Sequence, residues 1–146
     1  MEQKMDDRLE TIISQFNNFE DWEGRYKHLI SLGKNLAPMN GENKVENNKV
    51  KGCQSQVWLS AELKDGMILF SGDSDASIVK GIVALLILIY SERSPEEILT
   101  LPNDFIDKIG LKQQLSMSRA NGLSSMMKQI QLYAFGFKTK IEMGLA

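Results

Sequence analysis

The chain has few side chains that can do chemistry, and Cys53 and His28 are each the only residue of their type. Cys53 lies in VKGCQSQVWL, residues 50–59, where a polar loop gives way to alternating apolar residues. One cysteine cannot form an internal disulfide, and together with one histidine it cannot supply the four ligands of a Cys/His zinc site. Two roles remain for Cys53: a reactive free thiol, or an inert packed residue.

The local sequence favours the reactive role without deciding it. Free cysteine is among the most buried residue types, which supports simple packing. Against this, Gly52 lets the backbone turn sharply or be approached closely. Lys49 and Lys51 could stabilise a thiolate, because reactive thiols lie in electropositive, partly exposed surroundings. The polar run Gln54-Ser55-Gln56 is also a poor neighbourhood for a packed cysteine.

Two other groups of residues could do chemistry. A Cys53–His28 dyad would need the two side chains to meet in space, whereas RYKHLI predicts that His28 lies on a helix surface. The acids of GDSDAS could serve acid–base work or a cation, but we expect Asp73 or Asp75 to accept backbone N–H bonds at a helix start. The chain contains no G-x-S-x-G elbow, Walker loop or H-E-x-x-H motif.

Composition predicts an ordinary globular domain. The 146 residues suggest one domain, 1–146, and they are 42% hydrophobic and 25% charged. The net charge of -2 gives no sign of nucleic-acid or membrane-surface binding. The most apolar segment, residues 78–90, contains Lys80 and is too short to span a bilayer. The first ten residues lack the apolar region of a signal peptide, so we expect a cytoplasmic protein.

The first half of the chain predicts two helices, a loop and a hairpin. Helical apolar spacing predicts a helix over residues 6–19. A second helix should begin at Asp21 as N-cap and end near Gly33 as a C-cap glycine. Residues 37–52 are rich in Asn, Gly and charge, which is typical of an exposed loop. Alternation predicts a hairpin over residues 56–71 with a type I′ turn at Asp65-Gly66, and we expect a third strand whose position the pattern does not give.

The second half predicts helices. A core helix should start near Asp75 and be buried from Ile78 to Ile89. Ser94 with Pro95 predicts another helix start, and a short helix from Asn103 should end at Gly110. Ser116 or Ser118 should cap the last helix, whose core-facing residues are predicted to be Leu123, Met126, Met127, Ile130 and Tyr133. Long helices around a small antiparallel sheet indicate an α+β fold.

Four ordered blocks resemble the SufE family of sulfur-acceptor proteins, which includes CsdE. They are WEGRYKHLISLGKNL (22–36), GCQSQVWL (52–59), GDSDASIVKGIVALL (72–86) and LSMSRANGLSSMMKQI (115–130). The resemblance implies a SufE/IscU-like fold, in which helices pack on one face of a small antiparallel sheet. It also implies a partner, a pyridoxal-phosphate cysteine desulfurase of the SufS or CsdA type, and a recipient, an iron–sulfur scaffold of the SufBCD type.

In this resemblance Cys53 matches the acceptor cysteine, which takes sulfur as a persulfide. Asp75, Arg119 and Gln54 lie in matching blocks and are expected to support the site, with Asp75 capping the core helix beneath the Cys53 loop. The chain itself would bind no cofactor or metal and would act as a carrier rather than a free-standing enzyme. We expect residues 49–55 to move between a sheltered and an extended position. The resemblance favours a monomer or weak homodimer.

Two other classes of protein are compatible with a cysteine in this position. A U-type iron–sulfur scaffold shares the implied fold but needs several thiolates to hold a cluster, and this chain has one. A cysteine-dependent enzyme acting on a small molecule needs a base and an oxyanion site beside Cys53, and no clear base is present.

Overall fold

The computed structural model describes residues 2–53 and 55–145 and contains seven α-helices and two β-strands within them. The strands are β1 (Val57–Lys64) and β2 (Met67–Ser74). The helices are α1 (Glu2–Asn17), α2 (Trp22–Lys34), α3 (Ser77–Tyr90), α4 (Pro95–Thr100), α5 (Phe105–Ile109), α6 (Leu111–Gln114) and α7 (Met117–Glu142). The predicted α+β class, with a small antiparallel sheet, is confirmed.

The two strands form the predicted hairpin. Val57 lies opposite Ser74 and Lys64 lies opposite Met67. The turn between them places Asp65 at φ 54° and Gly66 at φ 80°, as a type I′ turn requires. The return strand continues to Ser74, three residues beyond its predicted end, and therefore carries the chain directly to the start of α3.

The prediction of a third strand is wrong for the residues that the structure describes, which form a two-stranded sheet. Single bridges replace a third strand at both edges. Val50 donates its N–H to the carbonyl of Val57 at 2.8 Å on the β1 side. On the β2 side, Ile68 donates to Arg93 and accepts from Glu92, both at 2.8 Å. One face of the hairpin packs on α3. This packing supplies the stability that an isolated hairpin lacks.

Helix α3 is the centre of the core because nearly its whole surface is covered, with α2 on one side and β2 on another. The α2–α3 contact depends on Gly33 and Gly81. A Cβ at Gly33 would lie 2.8 Å from the Gly81 nitrogen, and one at Gly81 would overlap the Leu29 carbonyl oxygen. The prediction of Gly33 as a C-cap glycine is therefore wrong: Asn35 is the C-cap of α2, and Gly33 permits close helix packing.

Most predicted helix ends are confirmed. Asp21 accepts a hydrogen bond from Gly24 N at 2.9 Å, and Ser94 accepts one from Glu97 N at 3.1 Å. Gly110 ends α5 in the left-handed region at φ 86°, and Ser116 caps α7. Short-range sequence patterns specify these ends, because each cap bonds a residue only three or four positions away.

Two features of the first half differ from the prediction. Helix α1 ends at Asn17, so Phe19 lies beyond it and is 36% exposed. The loop over residues 37–52 is less open than predicted, because Met39 and Val50 are buried in it.

Candidate functional site

Cys53 lies in a small cleft between the loop that carries it and two helices. Its thiol faces the carbonyl oxygen of Gly122, with Sγ 3.9 Å from that oxygen, and its side chain is half-buried. The cleft has a volume of about 110 Å³. Its walls come from the loop, α3 and α7, and its lining residues are Cys53, Ser55, Val79, Ile82, Ser118, Arg119, Gly122 and Met126.

Two glycines allow the Cys53 loop to lie directly on α7. Gly52 has φ +86°, and a Cβ there would lie 3.0 Å from Ser125 Oγ. Gly122 offers no side chain, and a Cβ there would lie 3.3 Å from Cys53 Sγ. Gly52 needs glycine for its backbone conformation, and a Cβ at Gly122 would fit only if the Cys53 thiol shifted by a few tenths of an ångström.

The loop is anchored on both sides of Cys53. Val50 is buried and donates to Val57, which ties the entry of the loop to β1. At the exit, Gln56 N donates to Asp75 Oδ1 at 3.0 Å, and Asp75 N donates to the Gln56 carbonyl at 3.3 Å. The part between these anchors is residues 51–55, a shorter segment than the predicted 49–55.

Asp75 has a different structural role from the predicted one. Helix α3 begins after Ala76, which makes no side-chain cap hydrogen bond, so the prediction that Asp75 caps this helix is wrong. Its carboxylate instead holds the Gln56 backbone at the loop exit. The β2 strand extends to Ser74, which shifts the helix start past Asp75 and turns this side chain back toward the loop.

Burial makes the Cys53 thiolate less favourable in the resting structure. The pKa of Cys53 is raised above its ordinary value of 9.0 because the cleft desolvates the thiolate. Lys49 pairs with Glu46 at 3.8 Å instead, and Lys51 is exposed. The prediction that these lysines favour the thiolate is therefore wrong for the resting loop.

This pKa shift has a direct consequence for alkylation. In the folded protein at neutral pH, Cys53 should react with iodoacetamide more slowly than in the urea-unfolded chain, because less of it is thiolate and the cleft restricts access. The folded rate should rise with a midpoint above pH 9.0. The thiol's contribution to stability is present below the unfolded pKa and is lost as the pH rises through the folded pKa. Faster alkylation in the folded state at neutral pH would contradict the sheltered position.

Other residues predicted for the site have mixed placements. Arg119 lines the rim of the cleft, as part of the first turn of α7. Gln54 lies outside the described residues. His28 is not among the residues that line the cleft; its ring packs against Phe16 and Phe19, with centroids 4.7 and 5.4 Å away. The structure therefore does not bring the Cys53–His28 dyad together.

Asp73 lies outside the cleft and orders the segment before the Cys53 loop. It forms ion pairs with Lys44, at 2.5 Å, and with Lys80, at 3.4 Å, and accepts from its neighbour Ser74 N. Burial opposes ionisation of Asp73, but these hydrogen bonds and cations outweigh it and lower its pKa. Lys44 also lies over the Trp58 ring, 5.6 Å from its centroid, and so holds its loop against the outer face of the hairpin.

The sequence did not assign the other residues of the cleft to the site. Gly122 belongs to the block SRANGL, where its spacing three residues after Arg119 places it on the same helix side. Val79, Ile82 and Met126 match an ordinary helical core pattern, and nothing in that pattern separates a cleft wall from the core.

Comparison with known proteins decides the family. Residues 10–134 match the family model described as "SufE: Fe-S metabolism associated domain". The chain belongs to the SufE family. It is 45% identical over 130 residues to a SufE-like protein of Synechocystis sp., a match that covers 89% of this chain and 82% of that protein. It is 43% identical over 133 residues to a SufE-like protein of Rhizobium meliloti, covering 88% and 95% respectively.

A solved structure has the same fold. The solution structure of a hypothetical protein from Thermus thermophilus has a TM-score of 0.76 and covers 90% of this chain and 96% of that one. Its sequence identity of 23% supports the fold alone. The SufE family as a whole associates this chain with iron–sulfur metabolism as a sulfur acceptor and with a cysteine desulfurase as partner.

Two structural findings concern metal ligands and membrane-spanning helices in this SufE-family chain. Within residues 2–53 and 55–145, no group of three or more His, Cys, Asp or Glu side chains is placed to hold a metal ion. Across the same residues, no helix combines the length and apolar character that crossing a bilayer requires.

The Asp75 anchor gives a testable property of this SufE-family loop. Replacing Asp75 by alanine removes the acceptor for Gln56 N, so the loop should open more often and Cys53 should be alkylated roughly threefold faster at neutral pH. The matched control is Asp104→Ala, which removes a surface ion pair with Lys108 and should leave the rate unchanged. Equal alkylation rates for Asp75→Ala and the unmodified chain would show that Asp75 does not anchor the loop.

Proposed function

We propose that Cys53 accepts sulfur as a persulfide from a pyridoxal-phosphate cysteine desulfurase and passes it to an iron–sulfur scaffold of the SufBCD type. The observation that carries this proposal is the position of the thiol. The chain's one cysteine is sheltered in a cleft, on a short loop anchored at both ends. Such a thiol is protected at rest and can be presented to another protein when the loop opens.

The transfer is a thiol–persulfide exchange. The Cys53 thiolate attacks the outer sulfur of the desulfurase persulfide, a new S–S bond forms, and the donor S–S bond breaks. The donor cysteine leaves as a thiolate and takes up the proton that Cys53 gave up, so the step needs no added oxidant or reductant. Because burial raises the pKa of Cys53, partner binding must draw the thiol out of the cleft, where its ionisation becomes easier.

The cleft suits storage of the product. Its volume of about 110 Å³ exceeds the roughly 10–15 Å³ that a site needs to hold one water molecule, so it can admit one additional atom of similar size. The apolar walls of Val79, Ile82 and Met126 limit the access of water and oxidants to that sulfur. Arg119 at the rim can place a cation near a persulfide anion, which supports the expected role of this residue.

The loop anchors limit how far the sulfur can travel. Cys53 is the third residue after the buried Val50, which is bonded to β1. A fully extended chain spans at most about 3.3–3.6 Å per residue, so Cys53 can move roughly 10 Å from its entry anchor. A desulfurase must therefore bring its persulfide close to the start of the hairpin.

The proposal is tested by incubating the protein with free cysteine and a desulfurase, of the SufS type in one series and the CsdA type in another. Intact mass under non-reducing conditions should show added sulfur that dithiothreitol removes. Hydrogen exchange over residues 51–55 should become faster when the desulfurase is bound. No added mass with either desulfurase type would overturn the proposal, and a difference between the two types would identify the preferred partner.

A further inference from the structure

One part of the hairpin edge has exposed main-chain groups. In an antiparallel pair, residues alternate between pointing their N–H and C=O at the partner strand and pointing them outward. The Val57 carbonyl accepts from Val50 N, so the main-chain groups of Val57 point outward. Ile68, which lies opposite Leu63, bonds Glu92 and Arg93, so its main-chain groups also point outward. Alternation along β1 then makes Ala61 and Leu63 point outward as well.

The rest of the β1 edge is covered. The Val57 carbonyl accepts from Val50 N, and the Leu59 carbonyl accepts from the Tyr133 hydroxyl at 2.8 Å. Within residues 2–53 and 55–145, by contrast, no hydrogen-bond partner outside β1 and β2 is present for the backbone of Ala61 or Leu63. Their side chains are half-buried, and Glu62 and Lys64 beside them are exposed. An edge of this kind is a template for another strand.

We propose that this edge pairs with the same edge of a second copy of the chain, antiparallel and about a two-fold axis at Leu63. The two Leu63 residues then exchange both of their main-chain hydrogen bonds. The two hairpins join into one four-stranded sheet, with the same surface used by both copies. This assembly is independent of sulfur transfer and goes beyond the proposed function.

Of two-fold axes placed at Ala61, Glu62 or Leu63, the axis at Leu63 is the most favourable. With the axis at Leu63, Glu62 of each copy lies directly opposite Lys64 of the other, and opposite charges across a strand pair stabilise it. An axis at Glu62 would place the two Glu62 carboxylates opposite each other, which is unfavourable. An axis at Ala61 would place Leu63 N of the second copy against the Leu59 carbonyl, to which the Tyr133 hydroxyl already donates.

The geometry leaves both acceptor sites free. Cys53 lies before the first residue of β1, and the axis lies near its end. At about 3.3 Å per residue, the two Val57 residues of the dimer are roughly 40 Å apart. Each cleft can therefore meet its own desulfurase. A short strand pair with two exposed ion pairs implies weak association, so the dimer should form at high protein concentration.

Sedimentation equilibrium up to about 1 mM protein tests the dimer, with charge swaps as the decisive variants. Glu62→Lys and Lys64→Glu alone place like charges opposite each other and should weaken association roughly tenfold. The double variant exchanges the two charges and should restore it. Circular dichroism checks that each variant folds. A wild-type chain that remains monomeric, single variants that associate normally, or a double variant that stays as weak as the singles would each overturn the proposal.

Main-chain pairing is tested separately by amide hydrogen exchange in NMR. The Leu63 amide should become more protected as protein concentration rises, and this gain should be absent in Glu62→Lys. The Val50 amide, already bonded to Val57, should keep constant protection and serves as the internal control. Leu63 protection that is independent of concentration would exclude pairing at this edge even if the protein dimerises elsewhere.

Discussion

A Cys53→Ala chain is expected to gain no sulfur from a cysteine desulfurase and to remain folded. Cys53 is the only thiol, so no other side chain can form the persulfide. The side chain is half-buried, and the loss of one sulfur atom should change the free energy of unfolding by about 1 kcal/mol or less. Intact mass under non-reducing conditions measures the transfer, and urea unfolding measures the stability.

The matched control for this prediction is Ser118→Ala. Ser118 lines the same cleft but leaves the thiol in place, so this variant should still take up sulfur. Sulfur bound to the Cys53→Ala chain would mean that the acceptor is not Cys53. A Cys53→Ala chain that unfolds far more easily would mean that the thiol is a packing residue, which the sequence left open.

The parts of the fold that could be predicted depend on neighbouring residues. Three features involve residues within about four positions of one another: the Asp65-Gly66 turn, the Asp21 cap and the Gly110 helix end. Short sequence patterns therefore predict them. The lack of a third strand within residues 2–53 and 55–145 depends instead on residues that are distant in sequence. It depends on Val50 and Glu92, which are far apart in sequence and cover opposite edges of the hairpin.

The candidate site also combines a feature set by neighbouring residues with one set by residues that are distant in sequence. Cys53 was identifiable because it is the only cysteine and follows Gly52 in a polar loop. The cleft around it joins α3 and α7, and Gly122 lies 69 residues from Cys53 along the chain. No periodicity predicts such a meeting. The electrostatic effect of Lys49 cannot be predicted from the sequence for a related reason: Lys49 is close to Cys53 in sequence, but it pairs with Glu46, and burial raises the pKa of the Cys53 thiol.

The largest expected stability effect is that of Gly81→Ala. The new Cβ would overlap the Leu29 carbonyl oxygen and would lie 2.8 Å from its carbon, and neither backbone atom can rotate away. Helices α2 and α3 would have to separate, which should lower the free energy of unfolding by about 3 kcal/mol despite the better helix propensity of alanine. Thermal unfolding should show a melting temperature roughly 10 °C lower.

Gly136→Ala is the matched control because it makes the same exchange inside a long helix where a Cβ meets nothing within 4 Å. It should raise the free energy of unfolding by about 0.5–1 kcal/mol, opposite in sign to Gly81→Ala. Equal effects would show that helix propensity, not the α2–α3 contact, controls both positions. Since Val79 and Ile82 on α3 flank Gly81 and line the cleft, Gly81→Ala should also speed Cys53 alkylation, whereas Gly136→Ala should not.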